Sequence, residues 1–144
     1  MRVRIKRIDK SLPLPEYKTV GAVAFDLSAR IATTILPKSI VRVPLNVAIE
    51  PPLGYMVMVA ARSSLHKKGL MLANGVGVVD NDFAGNEDEY MVSLYNFSDQ
   101  PVSVERGDRI VQGIFKKYDQ AEWEEVDDLG NKTRGGFGST GNLS

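Results

Sequence analysis

The sequence predicts an all-β domain, and three observations carry that prediction. Apolar residues recur at every second position in several segments, as they do in strands that bury one face. Gly, Pro, Asn and Asp separate these segments at short intervals, which is typical of a β-sandwich or a β-barrel. The chain has 144 residues, a length that suits one domain with one core.

The predicted elements follow one another along the chain. Residues 2–8 alternate basic and apolar side chains, which predicts a half-buried strand. Residues 40–50 are apolar at every second position and predict one long strand, with an edge or a bulge at Pro44 because proline lacks the N–H of the ladder. The remaining elements are strands over residues 55–61, 90–97 and 110–118 and one short helix over residues 63–68.

The C-terminal stretch has a different composition from the rest of the chain. Residues 119–128 are acidic, and the residues after them are rich in Gly, Asn, Ser and Thr, with Phe137 as the single aromatic. Such a stretch cannot bury enough apolar area to fold alone. We therefore predict a single domain over residues 1–144, with a β core over about 1–118 and a flexible arm over about 119–144. A disordered terminus and a functional arm anchored by Phe137 both remain open.

The composition excludes several chemistries. The chain has no Cys and one His, which excludes disulfides, thiol nucleophiles, Cys-based zinc sites and a His-rich metal site. Its net charge is zero, which argues against a domain that binds nucleic acid over its whole surface. The sequence contains neither a signal-peptide pattern nor a long apolar run, so a cytoplasmic protein without membrane contact is expected.

Three segments have residue types suited to chemistry. Arg62-Ser63-Ser64 predicts either an anion site or the N-cap of a helix. Residues 74–83 contain two glycines that permit a tight hairpin or a close approach to a ligand, and Asp80 is placed either to activate water or to form an Asp-rich turn. Residues 133–141 combine glycines with Arg, Ser and Thr, a composition that wraps phosphates. The acidic residues 87–89 are expected to form a solvated hairpin tip.

Five segments in this order resemble the motifs of the trimeric deoxyuridine triphosphatase (dUTPase) family. Each segment is modest alone, and their order and separation make the resemblance specific. The five segments are Ala24-Phe25-Asp26-Leu27-Ser28-Ala29, Arg62-Ser63-Ser64-Leu65, residues 74–85, Gly107-Asp108-Arg109-Ile110-Val111-Gln112 and residues 135–141.

The resemblance implies both a fold and a reaction. The fold would be a distorted jelly-roll β-barrel or sandwich with at most one short helix and a flexible C-terminal arm. The chain would form a homotrimer whose active sites are shared between subunits. It would hydrolyse dUTP to dUMP and pyrophosphate by attack of water on the α-phosphate, which removes dUTP and supplies dUMP for dTTP synthesis. Mg²⁺ would be held by the substrate phosphates and water, with no protein ligands.

The resemblance also implies roles for individual residues. Asp80 would orient and activate the attacking water, and Asp26 would support Arg62 or the neighbouring loops. The uracil and deoxyribose would be bound by Asn74, Gly77, Val78, Val79, Phe83, Met91 and Phe137. The phosphates would be bound by Arg62, Ser63, Ser64, Gln112, Lys132, Arg134, Gly138, Ser139 and Thr140.

The chain departs from the family pattern at four places. Ser64 stands where Gly is usual, and Phe83 stands where Tyr is usual. Residues 87–89 form an insertion after Gly85. In the last motif the cation for the γ-phosphate is either Lys132 or Arg134.

Two alternative hypotheses compete with the dUTP hydrolase. A dCTP deaminase, or a bifunctional dCTP deaminase and dUTPase, would need a catalytic Glu at the position where this chain has Ser93. A non-catalytic jelly-roll module with a regulatory or binding role would have no need of Asp80 or of the arm. The presence of both features favours the hydrolase.

Overall fold

The computed structural model describes residues 1–137, in which eleven short strands and one turn of 3₁₀ helix form an almost entirely β structure. The 3₁₀ turn, Leu65–Lys68, lies within the predicted helical segment. The strands are β1 (Arg4–Arg7), β2 (Phe25–Ser28), β3 (Thr33–Ile35), β4 (Ile40–Pro44), β5 (Val47–Glu50), β6 (Tyr55–Ala61), β7 (Leu70–Leu72), β8 (Gly77–Val79), β9 (Met91–Asn96), β10 (Val102–Val104) and β11 (Arg109–Lys117).

The strands form open sheets whose neighbours are all antiparallel. The largest sheet has the order β2-β11-β6-β8, and a second has the order β4-β9-β7. Strand β1 pairs with β5, and β3 pairs with β10. None of these sheets closes into a barrel, so the sandwich form of the predicted fold is the one observed. One core of apolar side chains lies between the sheets and includes Leu27, Ile35, Val43, Ile49, Val57, Leu94, Val104 and Ile110.

The long strand predicted over residues 40–50 is wrong, because the segment divides into β4 and β5. Pro44 ends β4, which is an edge strand of its sheet, as the missing N–H of proline requires. Asn46 then adopts a left-handed backbone conformation with φ of 68°. The chain turns there, and β5 pairs with β1 instead of continuing along β9. The strands predicted over residues 55–61, 90–97 and 110–118 are confirmed as β6, β9 and β11.

Strand β11 is the longest and organises the largest sheet. It pairs with β2 on one side and with β6 on the other. The ring of Phe25 lies directly over Gly113, where an added Cβ would be 2.5 Å from the ring atom Cζ. A bulge between Arg109 and Val111 shifts the register against β2. Because the two strands are antiparallel and Arg109 lies opposite Ser28, the beginning of β11 lies beside the end of β2.

The chain leaves the sheets after β11. The N–H of Tyr118 donates to the carbonyl of Gly54, and residues 119–137 contain no strand or helix. Trp123 and Leu129 in this stretch are 91% and 81% exposed. Over residues 1–137 the longest helix is a single turn, and none is long and apolar enough to cross a membrane.

Candidate active site

A carboxylate shared by two arginines lies where β2, β6 and β11 meet. Oδ1 of Asp26 is 2.9 Å from Nε of Arg62, and Oδ2 is 3.0 Å from Nη1 of Arg109. Nη1 of Arg62 also donates to the carbonyl oxygen of Arg109, at 3.0 Å. Asp26 is largely buried and Arg62 is half-buried, whereas Arg109 is exposed. This arrangement holds Arg62 in one orientation at the end of β6.

Two hydroxyls follow Arg62 and are available to a ligand. Ser64 precedes the 3₁₀ turn, but its side chain makes no capping hydrogen bond, so the N-cap alternative is wrong for Ser64. Both Ser63 and Ser64 are exposed. Within residues 1–137 neither hydroxyl forms a hydrogen bond, which leaves their donors and acceptors free.

Gln112 completes this polar group, which we call the Arg62 cluster (Asp26, Arg62, Ser63, Ser64 and Gln112). Gln112 lies on β11, opposite Asp26 on one side and Ala60 on the other. Its Nε2 donates to the carbonyl oxygen of Ala61, at 2.9 Å. The cluster thus gathers a guanidinium, hydroxyls and an amide at one end of the largest sheet. Such donors suit phosphate oxygens.

The segment from Asn74 to Asp80 does not form a paired hairpin, one of the two alternatives that its glycines permit. Its two flanking strands diverge, because β7 pairs with β9 while β8 pairs with β6. Gly75 makes the turn with φ of 75°. Gly77 lies against Val59, where an added Cβ would be 3.1 Å from the Cβ of Val59. Strand β8 is therefore an edge strand of its sheet, paired on one side with β6.

Asp80 lies on two adjoining clefts. One cleft, of about 490 Å³, is lined by Val78, Val79, Asp80, Phe83, Tyr90 and Met91, together with Arg42 and the acidic insertion. The other, of about 510 Å³, is lined by Met56, Asp80, Asn81, Asp82, Tyr118 and Gln120. Both are of the size that binds small molecules. We call the first the ring-lined cleft.

Asn81 holds the segment that carries Asp80, a role that sequence reasoning missed. Its amide nitrogen lies 2.8 Å from the carbonyl oxygen of Tyr55, 3.0 Å from that of Pro52 and 3.3 Å from that of Pro51. These contacts attach the end of β8 to the turn before β6. The carboxylate of Asp80 itself stays exposed to the clefts.

Tyr90 forms a buried support for Phe83. The two ring centroids are 6.3 Å apart with a tilt of 34°. Tyr90 is 2% exposed, and its hydroxyl has no hydrogen-bond partner among the described residues. Burial raises the pKa of Tyr90 well above its ordinary value, so the phenol is neutral at physiological pH. Neither the burial of Tyr90 nor its contact with Phe83 had a signal in the sequence.

The expectation of a solvated tip at residues 87–89 is wrong for Glu89. Its Oε1 accepts from Nε of Arg30 at 2.7 Å, and its Oε2 accepts from Nη2 of Arg30 at 3.0 Å. Oε1 also accepts from the backbone N–H of Asn46, at 2.9 Å. The carboxylate beside Arg30 raises the pKa of that guanidinium. Sequence reasoning missed Arg30 because its partner is distant in the chain.

The arm residues assigned to the substrate are not brought to the clefts within a single chain, although Gln120 at the start of the arm lines the second cleft. Lys132, Arg134 and Phe137 are exposed, and none of them lines either cleft. Among residues 1–137 neither cation of the arm forms an ion pair. The remaining predicted phosphate residues, Gly138, Ser139 and Thr140, lie outside the described residues.

The antiparallel sheets, with two clefts that share Asp80, define a jelly-roll β protein with a candidate site for a small molecule. A family model for dUTPase matches residues 10–141. The chain therefore belongs to the dUTPase family.

Named relatives agree over nearly the full length. The chain is 40% identical over 148 residues to the deoxyuridine 5'-triphosphate nucleotidohydrolase of Dictyoglomus turgidum, covering 98% of this chain and 99% of that protein. It is 43% identical over 147 residues to the protein of the same name from Desulfitobacterium hafniense, covering 98% and 95%.

Solved structures show the same fold. The crystal structure of dUTPase from Streptococcus mutans matches with a TM-score of 0.75 and 33% identity, over 83% of this chain and 98% of that chain. The dUTPase of Staphylococcus bacteriophage 80alpha with dUPNHPP matches with a TM-score of 0.86 over 98% and 99% of the two chains. At 19% identity, this second match supports the fold alone.

Proposed function

We propose that this member of the dUTPase family hydrolyses dUTP to dUMP and pyrophosphate, with Asp80 acting on the attacking water. The observation that carries the proposal is the position of Asp80, whose carboxylate lies on both clefts. Relatives about 40% identical over nearly the full length carry the name of this activity.

The reaction requires one water and one phosphoanhydride bond. The carboxylate of Asp80 accepts a hydrogen bond from the water and turns the water oxygen toward the α-phosphorus. The new P–O bond forms as the bond from the α-phosphorus to the bridging oxygen breaks, and pyrophosphate leaves with the electron pair. The proton from water passes to the carboxylate and then to solvent. Exposure of Asp80 supports this role, because a water molecule can reach the carboxylate.

The ring-lined cleft suits the nucleoside. Val78 and Val79 line this cleft, and their backbones offer N–H and C=O groups to the edge of uracil, whereas Asn74 and Gly77 on the same segment lie outside its lining. Phe83 and Met91 offer apolar contact to the deoxyribose, and a flat ring there leaves no room for a 2′-hydroxyl. A site that pairs every polar group on the edge of uracil would reject cytosine, because the different edge of cytosine leaves buried polar groups unpaired.

The phosphates suit the Arg62 cluster of a second subunit. No residue of the cluster lines either cleft that contains Asp80, so one chain does not complete the site within its described residues. We propose a homotrimer that brings the cluster of one subunit to the cleft of another. Lys132 or Arg134, with Gly138, Ser139 and Thr140, would then be delivered by an arm, and Phe137 would stack on uracil.

The arm itself supports assembly. It carries apolar side chains that remain exposed, among them Trp123 and Leu129. An apolar groove of about 160 Å³ lies on the body of the protein, lined by Val3, Ile5, Leu14, Pro15, Tyr17, Phe25, Ile49 and Phe115. Exposed apolar side chains on the arm and an open apolar groove on the body support docking of the arm on a neighbouring copy, and a mass measurement in solution tests the trimer.

The dUTPase family is metal-dependent, and we propose that the metal is Mg²⁺. Residues 1–137 contain no group of three or more His, Cys, Asp or Glu side chains that could hold a metal ion. We therefore assign the ion to the substrate phosphates and water, an environment that suits a cation that keeps much of its hydration. When bound, the ion neutralises developing charge on the phosphates. A cytoplasmic location stays a prediction from the sequence.

A panel of nucleotides tests the reaction and its rivals together. The protein is incubated with dUTP, dCTP, UTP and dTTP plus Mg²⁺, and pyrophosphate and ammonia are measured. Pyrophosphate from dUTP alone is expected. Ammonia from dCTP would indicate a deaminase, which is not favoured because Ser93 on β9 provides no carboxylate. Absence of turnover would indicate a non-catalytic module.

A further inference from the structure

We propose that Arg30 and Glu89 form a positioning pair that sets the deoxyribose side of the ring-lined cleft, and thereby the preference for a deoxynucleotide. The inference rests on the proposed function, because it concerns how that site selects its sugar. Neither residue belongs to the five motif segments. Glu89 belongs to the insertion at residues 87–89, and Arg30 follows β2.

The pair is geometrically well defined. Both oxygens of Glu89 accept hydrogen bonds from Arg30, at 2.7 and 3.0 Å, so the interaction is bidentate. The side chains are 9% exposed for Glu89 and 29% exposed for Arg30. Such burial weakens screening by solvent, so the pair holds its partners more firmly than an exposed ion pair would.

The loop that ends at Glu89 is held at several points. Nζ of Lys6 donates to the carbonyl oxygen of Asn86 at 2.8 Å. The N–H of Gly85 donates to Oδ2 of Asp88, also at 2.8 Å. Together with the bond from Asn46 to Glu89, these contacts attach the insertion to β1 and to the corner between β4 and β5. The loop over residues 85–89 is therefore fixed in one shape, and we call this loop together with Arg30 the brace.

The brace leads directly into the cleft. Tyr90 follows Glu89, and its N–H donates to the carbonyl of Val47 while its carbonyl accepts from the N–H of Leu45, both at 2.8 Å. These bonds flank the bond between Glu89 and Asn46, so two consecutive residues are attached to one three-residue corner. The ring of Tyr90 then lies against Phe83, the residue assigned to the deoxyribose. A shift of Glu89 would thus move Tyr90 and, through it, the ring that excludes a 2′-hydroxyl.

The expected effect of the brace on sugar choice differs from a general effect on the stability of the fold. If Phe83 were free to move, the cleft would bind deoxyribose more weakly and would admit ribose. The chemistry at Asp80 would proceed once the nucleotide is bound, because Asn81 attaches that segment independently to the turn before β6.

The test compares Arg30→Met and Glu89→Gln with the wild-type protein. We expect KM for dUTP to rise about tenfold with kcat changed less than about threefold, and the ratio of kcat/KM for dUTP over UTP to fall by about tenfold or more. Arg30→Lys retains a cation that can donate one hydrogen bond to Glu89. We expect this variant to restore part of the preference for dUTP over UTP. Lys38→Met is the matched control, because it removes an exposed ion pair with Asp99 away from the cleft.

A binding measurement makes the result independent of turnover. Calorimetry of dUMP and UMP with each folded variant is expected to show the same loss of preference. If the wild-type protein prefers dUMP but does not hydrolyse dUTP, the proposed function fails while the brace is still tested by binding. If Arg30→Met, Glu89→Gln and Arg30→Lys all keep the wild-type preference for dUMP over UMP, the proposal is overturned. If Arg30→Met and Glu89→Gln do not fold, the decision falls to Arg30→Lys, for which an unchanged dUMP preference overturns the proposal.

Discussion

The carboxylate of Asp26 lies 2.9 Å from Nε of Arg62, and this ion pair connects the first motif segment to the second. The same carboxylate binds Arg109 at the start of β11. A single acidic side chain therefore orders two cations at one end of the largest sheet. In the proposed enzyme, that order presents Arg62 to the phosphates of the nucleotide.

We expect Asp26→Asn to weaken substrate binding. The neutral amide loses the ionic attraction to both arginines, so Arg62 is freed to adopt other orientations. KM for dUTP should rise about tenfold, with a smaller fall in kcat, in steady-state assays of pyrophosphate release. Glu50→Gln is the control, since Glu50 pairs with the exposed Arg4 and should change neither parameter. An unchanged KM in Asp26→Asn would rule out the supporting role.

We expect removal of residues 132–144 to slow turnover of dUTP by at least about 100-fold without lowering the melting temperature of the body. Residues 119–137 contain no strand or helix, so among the described residues the truncation removes no part of the sheets. Within the arm, Lys132→Ala and Arg134→Ala identify the cation, because only the one that binds the γ-phosphate should raise KM. A full rate in the truncated protein would show that the arm has no part in the reaction.

We expect Gly113→Ala to destabilise the fold by about 1–3 kcal/mol. An added Cβ would lie 2.5 Å from the ring of Phe25, a buried residue of β2. Gly21→Ala is the matched control, because nothing lies within 4 Å of an added Cβ there. Urea unfolding of both variants measures the difference. Equal midpoints would mean that Phe25 has room to move.

Stability should depend on pH through Asp9. Hydrogen bonds from Arg106 and Ser11 hold the pKa of the Asp9 carboxyl well below its ordinary value in the folded protein. The unfolded chain then takes up a proton first as the pH falls, so this contribution to stability is present above about pH 4 and is lost below it. Arg106→Ala removes the larger cause, and its melting temperature should approach that of the wild type at about pH 2.5. A constant difference between pH 7 and acid would contradict the linkage.

Local pattern was sufficient for some elements and insufficient for others. The sequence predicts strands β6, β9 and β11 because each coincides with an apolar run of residues that favour strands. The break at Asn46 is not predicted by the sequence, because it arises from tertiary pairing. Strand β4 pairs with β9, whereas β5 pairs with β1. The divergence of β7 and β8 into different sheets likewise depends on partners outside the segment.

The candidate site divides in the same way. Asp80 and Arg62 lie in short segments whose residue types alone suggest chemistry. Tyr90 and the pair of Arg30 with Glu89 are structural neighbours of the cleft only because the chain returns there, with Arg30 and Glu89 separated by 59 positions. A single sequence has no local signal for such contacts, and residues 87–89 were expected to be solvated for that reason.

Pyrophosphate release from dUTP by the wild-type protein and by Asp80→Asn under the same conditions tests whether Asp80 acts on the attacking water. The amide keeps the shape of the side chain but cannot accept the proton from water. We expect turnover by the wild type, loss of at least about 1,000-fold in kcat in the variant, and nearly unchanged affinity for dUMP. Asp99→Asn, in an exposed turn, should retain the full rate. Near-normal turnover by Asp80→Asn would show that Asp80 does not activate the attacking water.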